Sequence, residues 1–171
     1  MERDFQSEFI ENSCYRMGES LRMIELALRK INHEELWKRP NKNSNCIGNL
    51  ILHLCGNITQ YAIASLSDIE DKRDRDAEFA VESGLSKEQL MAQLKNTIEL
   101  AENSISALSE EELLRVREVQ GYSFSGIGII VHVVEHLSYH TGQIAFWVKL
   151  LKDDQLGFYD GVDLNQLNKI K

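Results

Sequence analysis

The sequence is nearly devoid of proline. Pro40 is the sole one in 171 residues, and the ten glycines are thinly spread. So few helix breakers argue against a turn-rich β architecture and for long helices. Cysteine is equally scarce. Cys14, Cys46 and Cys55 form an odd set, which argues against a disulfide framework and suits buried thiols in a reducing compartment. Positive charge is in deficit: 19 Lys and Arg stand against 27 Asp and Glu, a formal net charge of −8. An acidic surface repels nucleic-acid phosphate, and no basic stripe interleaved with aromatics offsets it. The apolar runs are too short and interrupted to cross a bilayer. The opening residues Met1-Glu2-Arg3-Asp4 lack the apolar core of an export signal. The expectation is a cytoplasmic protein with neither nucleic-acid nor membrane partners.

What is present is globular composition, 43% hydrophobic and 27% charged, in a length that suits one domain over 1–171. No internal repeat or linker interrupts it. Apolar residues recur at three- and four-residue steps in four stretches. The first runs over 5–31 with Phe9, Met17, Leu21, Ile24 and Leu28. A loop with Trp37 and Pro40 comes next, and Asn41 to Asn45 offer helix N-caps. The second stretch, 46–66, carries Ile47, Leu50, Ile51, Leu54, Ile58 and Tyr61. A charged crossover from Asp68 to Asp76 is longer than a tight hairpin needs. It reads as a solvated connection or as a lid. The third stretch runs to about Leu108 and starts on Ser86 with Gln89 three residues on, a capping-box pattern. Ser109 to Leu114 suggests a short extra turn, and Val116 to Tyr122 a short extended segment. The fourth stretch covers 125–151 with Ile129, Val133, Leu137, Ile144 and Val148, before a polar tail expected to pack loosely. Four such helices bury their stripes by packing together, so the expected fold is an all-α four-helix bundle.

The histidines carry the chemistry. His132, His136 and His140 stand at four-residue steps on the last helix. One such step rotates only about 40° and rises about 6 Å, so two neighbouring rings can meet one ion. Three cannot easily do so, because His132 and His140 lie about 12 Å apart along the axis. The pair is therefore His132/His136 or His136/His140, with His136 common to both. His53, among Leu50, Ile51, Leu52 and Leu54, is the histidine inside another helix. Burying an imidazole there is costly unless it is bound or paired. Asn49, Asn57 and Gln60 fall near its face and offer hydrogen bonds to it. His33 sits in a polar turn and reads as exposed. Cys55 is about 200° round the helix from His53, Cys46 about 10 Å along it, and Cys14 belongs to packing, so none is assigned to metal. Glu135 points about 100° from His136 and reads as a surface charge rather than a base, with Tyr139 equally ambiguous. Tyr122, Phe146 and Trp147 read as core or dimer packing.

Two motifs bring a resemblance into view. Glu135-His136-Leu137-Ser138-Tyr139-His140-Thr141-Gly142-Gln143-Ile144 resembles the last-helix motif of the DinB-like superfamily, in which His-x-x-x-His is followed by Gly-Gln. Gly48-Asn49-Leu50-Ile51-Leu52-His53-Leu54-Cys55-Gly56-Asn57-Ile58 resembles its second-helix motif, and the order of elements matches over nearly the whole chain. Arg75-Asp76-Ala77-Glu78-Phe79 is similar to a segment of an uncharacterised DinB-like subgroup. The resemblance implies a DinB-like four-helix bundle and a homodimer. It implies metal ligands at His53, His136 and His140, with His132 outside the set. It also implies kinship with bacillithiol transferases and mycothiol-dependent maleylpyruvate isomerase, which points to metal-assisted chemistry on a low-molecular-weight thiol.

Three imidazoles leave an ion an open position. A divalent metal is expected, zinc or nickel first, with iron or manganese as alternatives. The expected function is a metal-dependent transferase joining a thiol to an electrophile, with hydrolysis compatible with the same ligands. Arg73 and Arg75 read as solvated charges or as contacts to an acidic cofactor. The competing readings are a non-catalytic, metal-binding or stress-related dimeric bundle, and a plain helical scaffold.

Overall fold

A computed structural model describes residues 4–169; Met1 to Arg3, part of the stretch tested for an export signal, lie outside the described residues. Four long helical elements dominate: α1 (Phe5–Arg29), α3 (Ile47–Ile58), α5 (Lys87–Ser106) and α7 (Gly126–Lys152). α1 packs against α5 and α7, and α3 packs against the same two, which closes the ring of a bundle. Met17, Ile24, Ile51, Leu54, Ile58, Leu94, Ile98, Ile129, Val133 and Ile144 fill the shared core and are almost wholly removed from water. The three- and four-residue apolar spacing thus does what an amphipathic stripe must, burying one face per helix. Among the described residues, no helix is long and apolar enough to cross a membrane.

The shorter elements connect the bundle. α2 (His33–Trp37) occupies part of the expected loop and begins on Asn32 with a reciprocal capping box to Glu35. The cap of α3 is Cys46, whose Sγ accepts from the Asn49 amide, rather than any residue of Asn41 to Asn45. Beyond Ile58 the helix does not stay α. It widens into a six-residue π-helical segment, Thr59–Ala64, so the expected straight helix to 66 ends early. α4 (Arg75–Ala80) is a short helix within the crossover and lies on α3. α5 begins as expected, with both capping-box bonds between Ser86 and Gln89 present.

α6 (Glu110–Leu114) leads into strands β1 (Val116–Val119) and β2 (Tyr122–Ser125), paired antiparallel with Val119 opposite Tyr122. The two residues between them, Gln120 and Gly121, have φ of 53° and 81°, the left-handed pair that a tight hairpin turn requires. The extended segment expected from sequence is therefore half of a hairpin. Ser125 ends it and caps α7 by accepting from the Gly128 amide. The tail is less loose than expected. Leu156 is buried, the Phe158 carbonyl accepts from Arg22, and Asp154 pairs with Lys30.

At Gly126, the first residue of α7, a Cβ would stand 2.6 Å from the Glu112 carbonyl oxygen and 2.9 Å from Leu113 Cα. Both are backbone atoms that cannot swing aside. Alanine ordinarily gains about 0.5–1 kcal/mol over glycine in a helix, but overpacking against fixed atoms costs about 1–3 kcal/mol. Gly126→Ala is therefore expected to lower the thermal midpoint, read by circular dichroism, despite alanine's better helix propensity.

Candidate metal centre

α7 presents His136 and His140 one turn apart, and α3 presents His53 toward them. Each of the three offers a ligand atom, and these atoms lie within 4.8 Å of one another. His53 Nε2 and His136 Nε2 are 3.0 Å apart. The ring of His140 meets both others edge-on, at 5.0 Å from His53 and 4.5 Å from His136 between centroids. A tetrahedral ion with nitrogens at about 2.0–2.1 Å holds them about 3.3 Å apart, so the triad fits a divalent metal. Among the described residues, no fourth His, Cys, Asp or Glu joins the cluster.

The outer nitrogens of His53 and His140 have partners. His53 Nδ1 lies 2.9 Å from Glu78 Oε2, and His140 Nδ1 lies 2.7 Å from Gln143 Oε1. A proton held on each Nδ1 leaves the lone pair on Nε2 for an ion. Glu78 is itself held by Arg73, whose Nε and Nη2 donate to its two carboxylate oxygens at 2.7 and 3.0 Å. Arg73 also donates to Gln60 Oε1. Its side chain is only 4% exposed, which corrects its reading as a solvated or cofactor-seeking charge. The exposed Arg75 lies over the Phe79 ring at 5.0 Å, and Phe79 in turn packs on the ring of His53 at 4.9 Å. The crossover is exposed along most of its length, as a solvated connection would be, yet Arg73 and Glu78 pin it to α3 behind a candidate ligand.

Burial holds all these imidazoles below the ordinary histidine range. His136 is pushed furthest, from 6.5 to about 3, by burial first and then by the neighbouring His140, His53, His132 and Arg73. Burial likewise lowers His53 against the opposing pull of Glu78, and His140 against its bond to Gln143. Neutral rings are the form that binds metal.

His132 stays outside the cluster. Its ring stacks on Tyr61 at 4.0 Å and near Phe124 at 6.2 Å, and its Nε2 faces Asn57 Nδ2. Tyr61 OH donates to Gln120 of the hairpin turn. His33 is exposed, and so are Glu135 and Tyr139. Phe146 and Tyr122 are exposed rather than core, while Trp147 is half-buried and donates to the Lys38 carbonyl. The polar neighbours expected to hydrogen-bond to His53 act at one remove instead. Asn49 donates to the carbonyls of Glu78 and Val81, and Gln60 joins Arg73 to Asp71. Burial raises all three thiols, Cys55 to about 12.

Sequence reasoning missed Glu78 and Gln143. Gln143 was within reach, since residues three apart on a helix face each other. Glu78 lies 25 residues from His53, and its place in the Arg75-to-Phe79 segment was its one signal.

The sequence profile of a family described as "Protein of unknown function (DUF1572)" matches residues 4–159. No curated protein matches the chain. Crystal structures of other proteins share its fold, three of them as follows. A conserved protein from Enterococcus faecalis aligns with a TM-score of 0.72 at 16% identity, over 84% of this chain and 97% of its own. The DinB-like protein YjoA from Bacillus subtilis aligns at 0.61 and 17%, over 84% and 91%. A DinB-like protein from Bacillus cereus aligns at 0.67 and 12%, over 88% and 95%.

The depressed histidines make the metal-free chain acid-sensitive. As pH falls below 6.5 the unfolded chain takes up a proton at His136, whereas the folded chain resists until about 3. Stability due to this group is full above 6.5, declines through the window and is gone below about 3. Thermal midpoints of metal-free protein should fall on acidification through that window, and His136→Gln should flatten the decline. Equal slopes for both proteins would refute the assignment.

Proposed function

The chain belongs to the DUF1572 family and has a DinB-like fold, and from that premise we propose that it is a metal-dependent transferase joining a low-molecular-weight thiol to an electrophilic carbon. One observation carries this reading: three neutral imidazoles converge from two helices with no fourth protein ligand beside them among the described residues. A closed structural site uses four protein ligands, whereas three are the mark of a catalytic one.

His53, His136 and His140 hold the ion, with zinc or nickel the first candidates and iron or manganese next. When bound, a divalent ion supplies a Lewis-acidic position at which a thiol or water loses its proton more easily. The remaining work falls to the chain. Glu78 and Gln143 keep the Nδ1 protons of His53 and His140 in place, so both rings hold one orientation. Phe79 covers one flank of His53 and limits water there. Tyr139 is exposed, with its ring 5.0 Å from that of His140. Burial raises the thiols of Cys14, Cys46 and Cys55 and so favours their protonated form; in this reading the sulfur comes from the incoming thiol. The kinship with bacillithiol transferases rests on the His-x-x-x-His and Gly-Gln pattern of α7.

The working unit in this reading is a homodimer. The exposed Tyr15 of α1 and Val131, Phe146 and Leu150 of α7 support it, since α7 carries apolar residues on its outer as well as its inner side. The three free cysteines support a cytoplasmic location.

Protein purified without a histidine tag should carry about one equivalent of divalent metal by elemental analysis. His136→Ala should abolish uptake and His33→Ala should leave it unchanged. Failure of the wild-type protein to take up zinc, nickel, iron or manganese overturns the metal site. Metal-loaded protein given a panel of small thiols and an activated aryl halide should form the thioether faster than metal-free protein. A full metal content with no rate above background for any thiol overturns the transferase and leaves a metal-holding bundle.

A further inference from the structure

His53 meets two groups through its two nitrogens. Nε2 faces His136, and Nδ1 faces the crossover, with Glu78 Oε2 at 2.9 Å and Arg73 Nη2 at 3.1 Å. Nδ1 cannot serve both crossover groups in the same protonation pattern. With its proton on Nδ1, the ring donates to Glu78 and turns a lone pair toward His136. With its proton on Nε2, the ring donates to His136, and Nδ1 presents a lone pair that accepts from Arg73 but repels the Glu78 carboxylate. The metal-free chain can satisfy either pattern, because His136 Nε2 can be donor or acceptor. An ion on His53 Nε2 permits the first pattern only.

On the premise that the triad holds a divalent ion, we propose that ion binding and closure of the crossover on α3 are one coupled event, transmitted by the tautomer of His53. The ion selects the Nδ1 proton, the Nδ1 proton engages Glu78, and Glu78 with Arg73 fastens the segment from Asp71 to Val81. The fastening is extensive. Arg73 reaches Gln60, Gln60 reaches Asp71, and Asn49 holds the carbonyls of Glu78 and Val81. The crossover therefore reports whether the site is loaded, and its loss loosens the ion in return, because coupling between two binding events is reciprocal.

Gly56 is the residue that makes the contact possible. It lies three residues beyond His53, and a Cβ there would stand 1.8 Å from Glu78 Oε1 and 3.0 Å from Arg73 Nε. The side chain of Glu78 crosses α3 where this glycine leaves room. Gly56 and Glu78 are thus positioning residues for His53, neither touching the ion.

The test measures two quantities on full-length protein: zinc affinity by competition with a chromogenic chelator, and amide hydrogen exchange of peptides covering 68–81 with and without zinc. In the wild type zinc should slow exchange in those peptides. Glu78→Ala should weaken zinc about 10–100-fold, the range for loss of a carboxylate that orients a ligand histidine, and should erase the zinc-dependent protection. Gly56→Ala should do the same by displacing Glu78 without removing any polar side chain. Glu78→Gln, which retains an acceptor for Nδ1–H, should recover most of the affinity, and Asp76→Ala, on the exposed side of α4, should match the wild type. His136→Ala should leave crossover exchange indifferent to zinc, showing that protection runs through the triad. Wild-type zinc uptake without protection of 68–81, or unchanged affinity in folded Glu78→Ala and Gly56→Ala, overturns the coupling alone. A wild type that takes up no zinc overturns the metal site and the coupling with it.

Discussion

The molecule is organised around the meeting of His53 and His136, nitrogen to nitrogen at 3.0 Å, across the contact between α3 and α7. Polar rings inside a bundle are costly unless each nitrogen has a partner. The surrounding structure supplies these: Glu78 and Arg73 behind His53, Gln143 beside His140, and the aromatic packing of Phe79. Much of what lies outside the apolar core is explained as support for that encounter. The crossover returns over α3, and α4, which lies on that helix, carries the carboxylate of Glu78 that meets His53.

The electrostatics stem from the same encounter. Several imidazoles share a small volume with a buried guanidinium; burial disfavours a proton on each, and at His136 the neighbouring rings and Arg73 add to it. The outcome is a group of bases kept in their uncharged form. Arg73 does not add a free positive charge to this group, since Glu78 neutralises it within bonding distance. A lone arginine behind a ligand ring would oppose a cation. Here a carboxylate lies as near the ring as the guanidinium does, at 2.9 Å against 3.1 Å from His53 Nδ1, and offsets it.

The four long helices were legible because burial by an amphipathic helix needs a fixed period, and the period is local. The candidate ligands were legible in part. A four-residue step brings two rings together on any helix, but it could not choose between His132/His136 and His136/His140. That choice depends on which neighbours reach α7 from elsewhere: Tyr61 and Asn57 take His132, while His53 reaches the next two turns. Glu78 was illegible for the same kind of reason. Its partner is fixed by the path of a segment without periodic pattern, and in a charge-rich stretch an acid destined for burial looks like its solvated neighbours. The cap at Cys46 was overlooked because a thiol is a weak acceptor beside the asparagines preceding it.

The π-helical segment at 59–64 begins six residues after His53, beyond the part of the helix that carries the candidate ligand. Wide turns of this kind amount to one additional residue in an α-helix, and removing one residue would swing the downstream chain by about 100°. Tyr61, which lies in this stretch and backs His132, is therefore on an independent setting from His53. A change of length there would reset the aromatic wall formed by Tyr61 and His132 while the rings of His53, His136 and His140 stay where they are.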